Sequence, residues 1–506
     1  MTTTSTPRKI LFFTNSEYGQ ANIVLSVAHE LCLRPNVEVH IASFPVLSPR
    51  IKDLQDRIRV TGSSARVFFH PLRGISLKEA RIRRIGTNTP THAPSLAGAL
   101  RSFRRLPYYV AEWSGPEYME LYDSCVEIIQ DLNANTIVIE YFLSQAIDAC
   151  RFLNLKFIIM TPNAPKDIIG RIQPYGSIFW KYPVMSSGIP YPMSWYHIPK
   201  NAFLTCAMVY FMFSSPKIQE LVQYRQKLGL KNTIPMFEPY MADAHYLCPA
   251  TPKTDFPCVV PDNVTLCGPI LVPAVPVEEK DPKLASWLDS GPTVLVNLGT
   301  HAVFDEKNAC QLAKALHILL DHDHSVQIIW KLKAHDDAKT SLHDILRIFV
   351  GKGRVRIVDW LDVEPLAILR HPNVVCTVNH GGANSVYEGI HTGIPQIILP
   401  MWYDCYARVE WLGIGIYGNK GSAPRVEASE LSRALIKIIG EGDESLRFRV
   451  AAKSLAEDTR NYSGKSDWRN DEWQVPFVDS KASGFKDLCK VEKEFMFLRT
   501  KTTKKD

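Results

Sequence analysis

Short apolar runs along this chain alternate with amphipathic stretches, which predicts strands followed by helices. Near the N-terminus, the runs Ile10 to Phe13 and Val37 to Ala42 flank a stretch from Ala21 to Leu33 with apolar residues at helical spacing. Strand, helix and strand in this order predict parallel strands with a right-handed crossover. Runs at Thr136 to Ile139 and Phe157 to Met160 flank another predicted helix, so we expect one parallel sheet in this half.

The same alternation resumes after a proline-rich interruption between Pro249 and Pro292, a composition typical of linkers. Five more strands are predicted near Thr293 to Leu298, Val326 to Trp330, Arg354 to Val358, Val374 to Val378 and Gln396 to Leu399. We therefore predict an α/β protein with two doubly wound, Rossmann-like domains. The predicted boundaries are 1–249 for the first domain, 250–292 for the linker, 293–440 for the second domain, and 441–506 for a final helix that returns to the first domain and a polar tail.

Composition fits a two-domain enzyme. A chain of 506 residues is too long for one ordinary core. The net charge of +6 does not indicate nucleic-acid binding, because the basic residues between Arg50 and Arg105 lack interleaved stacking aromatics. The 11 cysteines are scattered without a C-x-x-C pair, which favours free thiols over disulfides or a zinc site.

The N-terminal sequence MTTTSTPRKI lacks the apolar core of a secretion signal, so we expect a cytoplasmic protein. The longest apolar stretch, Ala202 to Phe213, is shorter than the roughly 20 residues that span a bilayer. A membrane span is therefore not expected, whereas contact of this stretch with a membrane surface stays open.

The segment from Val374 to Gly415 carries the most specific chemistry. Its predicted strand ends at His380-Gly381-Gly382, and a helix is predicted from Asn384 to His391. Uncovered backbone N–H groups and the helix dipole make such a junction suitable for a phosphate. Glu388 lies one helical turn after Asn384, and its carboxylate suits ribose hydroxyls. Asp404 follows the next strand, at a position where ligands gather in open α/β sheets.

This segment resembles the donor-sugar signature of the UDP-glycosyltransferase family, inverting enzymes with the GT-B architecture. The resemblance implies two Rossmann-like domains facing across a cleft, with a UDP-sugar on the second domain. It implies uracil stacking on Trp360, a ribose contact from Glu388, sugar contacts from Asp404, and phosphate contacts from the remaining residues. The implied donor-binding residues are Gly299, Thr300, Trp360, His380, Gly382, Asn384, Ser385, Glu388 and Asp404.

The turn after the first strand decides between two classes of α/β enzyme. It reads TNSEYGQAN and lacks the G-x-G-x-x-G pattern of dinucleotide-binding proteins, so NAD is not expected. The family places a catalytic His in this turn and an Asp at the end of a later strand. The corresponding residues here are Gln20 and Glu140. Because a carboxamide has no accessible protonation site near neutral pH, Gln20 can only position the acceptor.

Three interpretations of this pair stay open. Glu140 is the base, with a pKa raised by burial. Alternatively, the acceptor is a carboxylate or an acidic phenol that needs little deprotonation, and Gln20 orients it. In the third interpretation, the protein binds a nucleotide sugar without transferring it.

The region between Pro162 and Pro249 is rich in aromatic residues and methionine, which predicts a large apolar acceptor such as a terpenoid, polyketide or sterol. The sequence thus predicts a glycosyltransferase that moves a sugar, glucose by default, from a UDP-sugar to a lipophilic small molecule with inversion. No metal and no cofactor other than the UDP-sugar co-substrate is expected. The alternatives are a catalytically silent nucleotide-sugar-binding partner and a nucleotide-sugar epimerase.

Overall fold

The structure is a computed structural model that describes residues 7–86, 91–300, 302, 304–333, 336–403 and 408–462. Its thirteen strands are β1 (Arg8–Phe13), β2 (Val37–Ser43), β3 (Val67–Pro71), β4 (Thr136–Glu140), β5 (Ile158–Met160), β6 (His245–Cys248), β7 (Val264–Leu266), β8 (Thr293–Asn297), β9 (Gln327–Lys331), β10 (Val355–Val358), β11 (Val374–Asn379), β12 (Gln396–Ile398) and β13 (Gly415–Tyr417). They form two separate sheets in which every neighbouring pair is parallel.

The helices of the first half cover or flank its sheet: α1 (Tyr18–Cys32), α2 (Ser48–Val60), α3 (Leu77–Ile85), α4 (Leu96–Val110), α5 (Gly115–Leu132), α6 (Ser144–Phe152), α7 (Pro165–Ile169), α8 (Ser177–Trp180), α9 (Ile198–Phe213) and α10 (Pro216–Lys227). The second half contains α11 (Val277–Lys280), α12 (Pro282–Leu288), α13 (Glu306–His322), α14 (Asp336–Gly351), α15 (Pro365–Leu369), α16 (Ala383–Thr392), α17 (Arg408–Trp411), α18 (Ala428–Ile439) and α19 (Asp443–Tyr462).

Both sheets have the doubly wound order. The first runs β3-β2-β1-β4-β5-β6-β7 and the second runs β10-β9-β8-β11-β12-β13. Strand β1 shows why its sequence is continuously apolar: Ile10 and Phe12 enter one core cluster, whereas Leu11 and Phe13 enter another on the opposite face. The chain reverses direction across the sheet between β1 and β4, and between β8 and β11, which opens a crevice at the carboxyl ends of these strands.

The predicted α/β fold with two parallel sheets is confirmed, and the structure adds detail at the linker. Strand β7 lies within the proline-rich stretch 250–292, yet it pairs with β6 and completes the first sheet. Helix α12 lies in the same stretch, and its Leu284 and Leu288 pack in a core cluster with Leu295 of the second sheet. The ordered elements of both halves therefore extend into this stretch from either side.

The two halves touch at several points. Arg57 of α2 forms an ion pair with Glu364 and donates to the carbonyl of Pro273 over 2.7 Å. Helix α19 comes back toward the first half, where Lys253 bonds to Asp458 over 2.7 Å. Among the residues described above, no helix is both long enough and apolar enough to cross a bilayer.

Candidate active site

The junction of β11 and α16 has the geometry of an anion site. Gly381 has φ +86°, in the left-handed region that favours glycine, and its amide donates to the Asn379 side chain over 2.8 Å. Gly382 caps α16 with φ −67° and ψ 146°, and no side chain of the cap covers the first amides of the helix. The amides of Ala383, Asn384 and Ser385 thus form the first turn of a helix whose N-terminus has no acidic residue.

His380 is held between two glycines. A Cβ atom added to Gly299 would lie 2.7 Å from Cε1 of the His380 ring, and one added to Gly382 would overlap the same ring. The ring also packs against Trp402, with centroids 5.2 Å apart. Both glycines therefore lie close to the His380 imidazole because they have no side chain. Gly299 has φ +79°, so its backbone conformation also favours glycine.

The second loop at this edge follows β8. The amide of Gly299 donates to the Asn297 side chain over 3.2 Å, and the carbonyl of Thr300 accepts from Lys333 over 3.2 Å. Since β8 and β11 are adjacent, the loops that follow them lie side by side. The structure thus brings Gly299, Thr300 and His380 to one edge of the second sheet.

Trp360 lies near a buried lysine that the sequence reasoning missed. The Trp360 side chain is half exposed, and the ammonium of Lys331 lies 4.1 Å from the centroid of its ring. Burial lowers the pKa of Lys331, whereas the nearby Glu388 carboxylate raises it. Burial likewise raises the pKa of Glu388, and Lys331 lowers it. Lys331 therefore lies near both the residue predicted to stack on uracil and the residue predicted to bind ribose.

The position of Lys331 in the sequence could have identified it as a candidate ligand-binding residue. It is the last residue of β9, directly after the predicted strand Val326 to Trp330. A charged residue at the carboxyl end of a parallel strand next to the switch point is a candidate for ligand binding.

The two halves meet at the N-termini of α1 and α16. The side-chain amide of Asn384 approaches the carbonyl of Tyr18 at 3.5 Å, and the Tyr18 ring lies edge-on to Trp360 at 5.5 Å between centroids. Gln20 lies two residues after Tyr18 in the first turn of α1. The residue predicted to position the acceptor and the residues predicted to bind the donor therefore lie on opposite walls of one cleft.

Glu140 is completely buried at the end of β4. Its carboxylate accepts hydrogen bonds from the Asn15 side chain over 3.0 Å and from the Phe142 amide over 2.9 Å. Burial raises the pKa of Glu140 to about 8, although these hydrogen bonds oppose the shift. A carboxyl group with this pKa is ionised, and so able to accept a proton, mainly above about pH 8.

The Gln20 side chain is partly buried, and its carboxamide oxygen is buried without a hydrogen-bond partner among the described residues. A buried acceptor in this state costs free energy that a donating hydroxyl group would offset.

A buried carboxyl group in the turn after β1 was not predicted. Glu17 is the residue before α1 and accepts from the amide of Lys78 over 2.9 Å. Burial raises its pKa, while the Lys78 amide and Arg81 lower it. Repulsion from the Glu17 carboxylate also raises the pKa of Glu140. One buried carboxyl group, Glu17, therefore lies in the turn after β1, and another, Glu140, lies at the end of the adjacent strand β4. The sequence motifs indicated only Glu140.

For two of the predicted donor-binding residues, Ser385 and Asp404, the structure gives less information. Ser385 is partly buried in the first turn of α16. Asp404 lies outside the described residues, so its predicted contact with the sugar stays a prediction.

Two doubly wound parallel sheets that face each other across a cleft, with an anion-binding loop on the second, define the GT-B class. The family model described as UDP-glucoronosyl and UDP-glucosyl transferase matches residues 133–440. The glycosyltransferase sdnJ of Sordaria araneosa is 36% identical over 463 residues, which cover 85% of this chain and 90% of that protein. The chain therefore belongs to the UDP-glycosyltransferase family and is a UDP-sugar-dependent enzyme that acts on small molecules.

More distant relatives share parts of the chain or only its fold. A 2-hydroxyacylsphingosine 1-beta-galactosyltransferase of Rattus norvegicus is 26% identical over 322 residues, which cover 58% of this chain and 54% of that protein. A UDP-glucosyltransferase from Polygonum tinctorium that glucosylates indoxyl superimposes with a TM-score of 0.63 at 15% identity, covering 97% of this chain and 100% of that one. The second likeness supports the GT-B fold.

Proposed function

We propose that this enzyme transfers a hexose, glucose by default, from a UDP-sugar to a lipophilic small-molecule acceptor with inversion at the anomeric carbon. The observation that carries the proposal is the approach of Tyr18 to both Asn384 and Trp360. It places the turn that contains Gln20 opposite the N-terminus of α16, so that an acceptor and a UDP-sugar in this cleft would be neighbours. Backbone amides and the dipole of α16 would stabilise the diphosphate as it leaves.

In the proposed reaction, the acceptor oxygen forms a bond to the anomeric carbon while the bond from that carbon to the diphosphate oxygen breaks. The diphosphate leaves with the electron pair, and His380 and the amides of α16 stabilise its growing negative charge. The carboxamide of Gln20 orients the acceptor hydroxyl. The proton of this hydroxyl passes to Glu140, whose raised pKa suits the role.

Because Glu140 is enclosed, a second mechanism is also proposed, in which the acceptor loses its proton without a protein base. Its carboxylate contacts Asn15 and Phe142 and has no exposed surface, so an acceptor reaches it only if the Asn15 side chain moves or a water molecule enters. An acceptor that ionises by itself, such as a carboxylic acid or an acidic phenol, needs no such movement. In that case Gln20 alone orients the nucleophile.

The lipophilic class of the acceptor rests on the side chains next to the cleft. Tyr109 and Tyr403 lie 6.1 Å apart between ring centroids, one in each half, and His92 lies 5.6 Å from Tyr403. The name of the rat relative also specifies a sphingolipid acceptor, and it specifies galactose as the sugar. We therefore retain glucose only as the default.

The purified protein incubated with a panel of UDP-, TDP- and GDP-sugars and lipophilic acceptors tests the proposal, with mass spectrometry of the products. A glycosylated acceptor formed only with a UDP-sugar, with β-linkage from an α-linked donor by NMR, is the expected result. Retention of the α-configuration would refute inversion. A changed nucleotide sugar formed without any acceptor would instead identify an epimerase. Binding of UDP without any product would identify a silent partner protein.

A further inference from the structure

Helix α9 presents an apolar face to solvent. Its exposed large side chains include Phe203, Tyr210 and Phe213, which are 55%, 66% and 58% exposed, and Cys206 lies exposed between them. These positions are three or four residues apart, so they share one side of the helix. The opposite side contains the buried Leu204 and packs against α4. A helix in water normally exposes polar residues on this side.

The aromatic surface continues beyond the helix. Trp195, three residues before the start of α9, is 81% exposed, and the adjacent Tyr196 is exposed as well. Tyr175 and Trp180 are exposed in the segment that precedes them. Tyrosine and tryptophan combine an apolar ring with a polar group, and both are enriched where a membrane meets water.

The ionisable side chains around α9 are basic and not acidic. The stretch from Ile168 to Gln219 contains no Asp or Glu, although 52 of the 506 residues of the chain are acidic. Helix α4, which packs beside α9, also lacks acidic residues and contains Arg101, Arg104 and Arg105. The guanidinium of Arg104 lies 5.3 Å from the ring centroid of Phe211, a partly buried residue on the side of α9 that packs against α4, so this arginine lies directly beside α9. Arg101 and Arg104 are exposed.

From this combination we infer that α9 and the adjacent face of α4 form a docking surface for a membrane that contains anionic lipids. The aromatic side chains of α9 enter the boundary between headgroups and acyl chains, and the arginines of α4 contact the acidic headgroups. A second copy of the chain fits this surface less well. A two-fold symmetric contact would bring the arginines of the two copies together, with no acidic side chain from α4 or α9 between them.

Flotation of the full-length protein with lipid vesicles tests the inference independently of any enzymatic activity. The protein is expected to float with vesicles of phosphatidylcholine that contain roughly 30% phosphatidylserine, and much less with phosphatidylcholine alone. Replacing Arg101 and Arg104 by Gln should weaken binding about fivefold for each charge removed. The double substitution Phe203→Ser and Tyr210→Ser should weaken it by roughly tenfold or more.

Two control variants match these changes in residue type and exposure. Phe152 is 61% exposed on α6, and Arg447 is exposed on α19. Phe152→Ser and Arg447→Gln should float as the unmodified protein does. Loss of binding in these controls, or no flotation of the unmodified protein, would overturn the inference. So would α9 variants that float normally but lose affinity for an acceptor, or that only convert a dimer to a monomer.

A label at Cys206 reports on the face itself. It is the exposed member of the free cysteines in the described parts of the chain. An environment-sensitive fluorophore attached there should shift its emission to shorter wavelength when phosphatidylserine vesicles are added. The Cys206→Ser variant, treated in the same way, corrects for labelling at other cysteines. An emission spectrum that does not change in the presence of bound vesicles would show that another surface makes the contact.

Discussion

The ammonium group of Lys331 lies 4.1 Å from the centroid of the Trp360 indole ring, at the end of the strand next to the predicted diphosphate loop. A cation over an aromatic face is attracted by the electrons of the ring. Lys331 is buried, and the negative charge of the nearby Glu388 carboxylate favours its charged form. The cation and the carboxylate therefore stabilise each other's charged form near the surface on which a uracil is predicted to stack.

Lys331→Met is predicted to weaken binding of UDP by roughly tenfold. The substitution leaves the Glu388 carboxylate without its cation, and it removes a positive charge near a ligand that is negatively charged. Isothermal titration calorimetry with UDP measures the change, and Lys352→Met provides a control because Lys352 is exposed at the end of α14. Unchanged or tighter binding in Lys331→Met would mean that Lys331 does not contribute to UDP binding and only fills the position where the uracil is predicted to stack.

His380→Ala is predicted to reduce turnover by about 100-fold or more, the usual effect of removing one preorganised donor to a developing negative charge. The fold should persist, because the ring occupies a loop and not one of the core clusters. Initial rates at saturating UDP-sugar and a thermal melt of the same preparation measure both quantities. A rate within twofold of the unmodified enzyme would exclude a role for His380 on the leaving diphosphate.

Gly382→Ala is predicted to act through His380. The backbone of Gly382, with φ −67°, accommodates alanine, yet the new methyl group would overlap the His380 ring and displace it. A displacement of about 1 Å in a catalytic group costs up to about 100-fold in rate. Gly421→Ala is the matched control, because a Cβ there lies no closer than 3.5 Å to another group.

A double-mutant cycle separates this effect from a general one. If Gly382→Ala acts only by moving the imidazole, it should have little further effect in a His380→Ala background. Full additivity of the two changes would instead indicate that the methyl group blocks the diphosphate directly.

The sequence predicted the two sheets because buried parallel strands such as β1 and β11 are continuously apolar, a local pattern. It did not predict β3, β6, β7 or β13. Of these, β6 and β7 are only four and three residues long and lie in or next to the proline-rich stretch. Donor-binding candidates were found because they are contiguous around α16. Lys331 and Glu17 were missed because their importance depends on neighbours that lie far away in the chain, such as Glu388 and Glu140.

The last prediction concerns the proton acceptor. A base acts only in its deprotonated form, and burial raises the pKa of Glu140 to about 8. If Glu140 is the base, kcat/KM should rise with pH through about 8 and then level off, and Glu140→Gln should lower the rate by roughly 100-fold and abolish this rise. Gln20→Ala should cost less, because only the orientation of the acceptor is lost. Gln20→His restores a titratable group opposite the acceptor and should add activity at lower pH in a Glu140→Gln background.

The pH profile distinguishes this mechanism from ionisation of the acceptor itself. If the acceptor ionises by itself, the midpoint of the pH profile follows the pKa of each acceptor tested, and the pH dependence persists in Glu140→Gln. Gln20→Ala then lowers the rate more than Glu140→Gln does. Glu17→Gln is the matched comparison, because Glu17 is a buried carboxyl group in the turn that contains Gln20 and its pKa is also raised. If Glu17→Gln abolishes the rise while Glu140→Gln leaves it intact, the base is Glu17, and the hydrogen bonds of Glu140 to Asn15 and Phe142 serve to hold the turn in place.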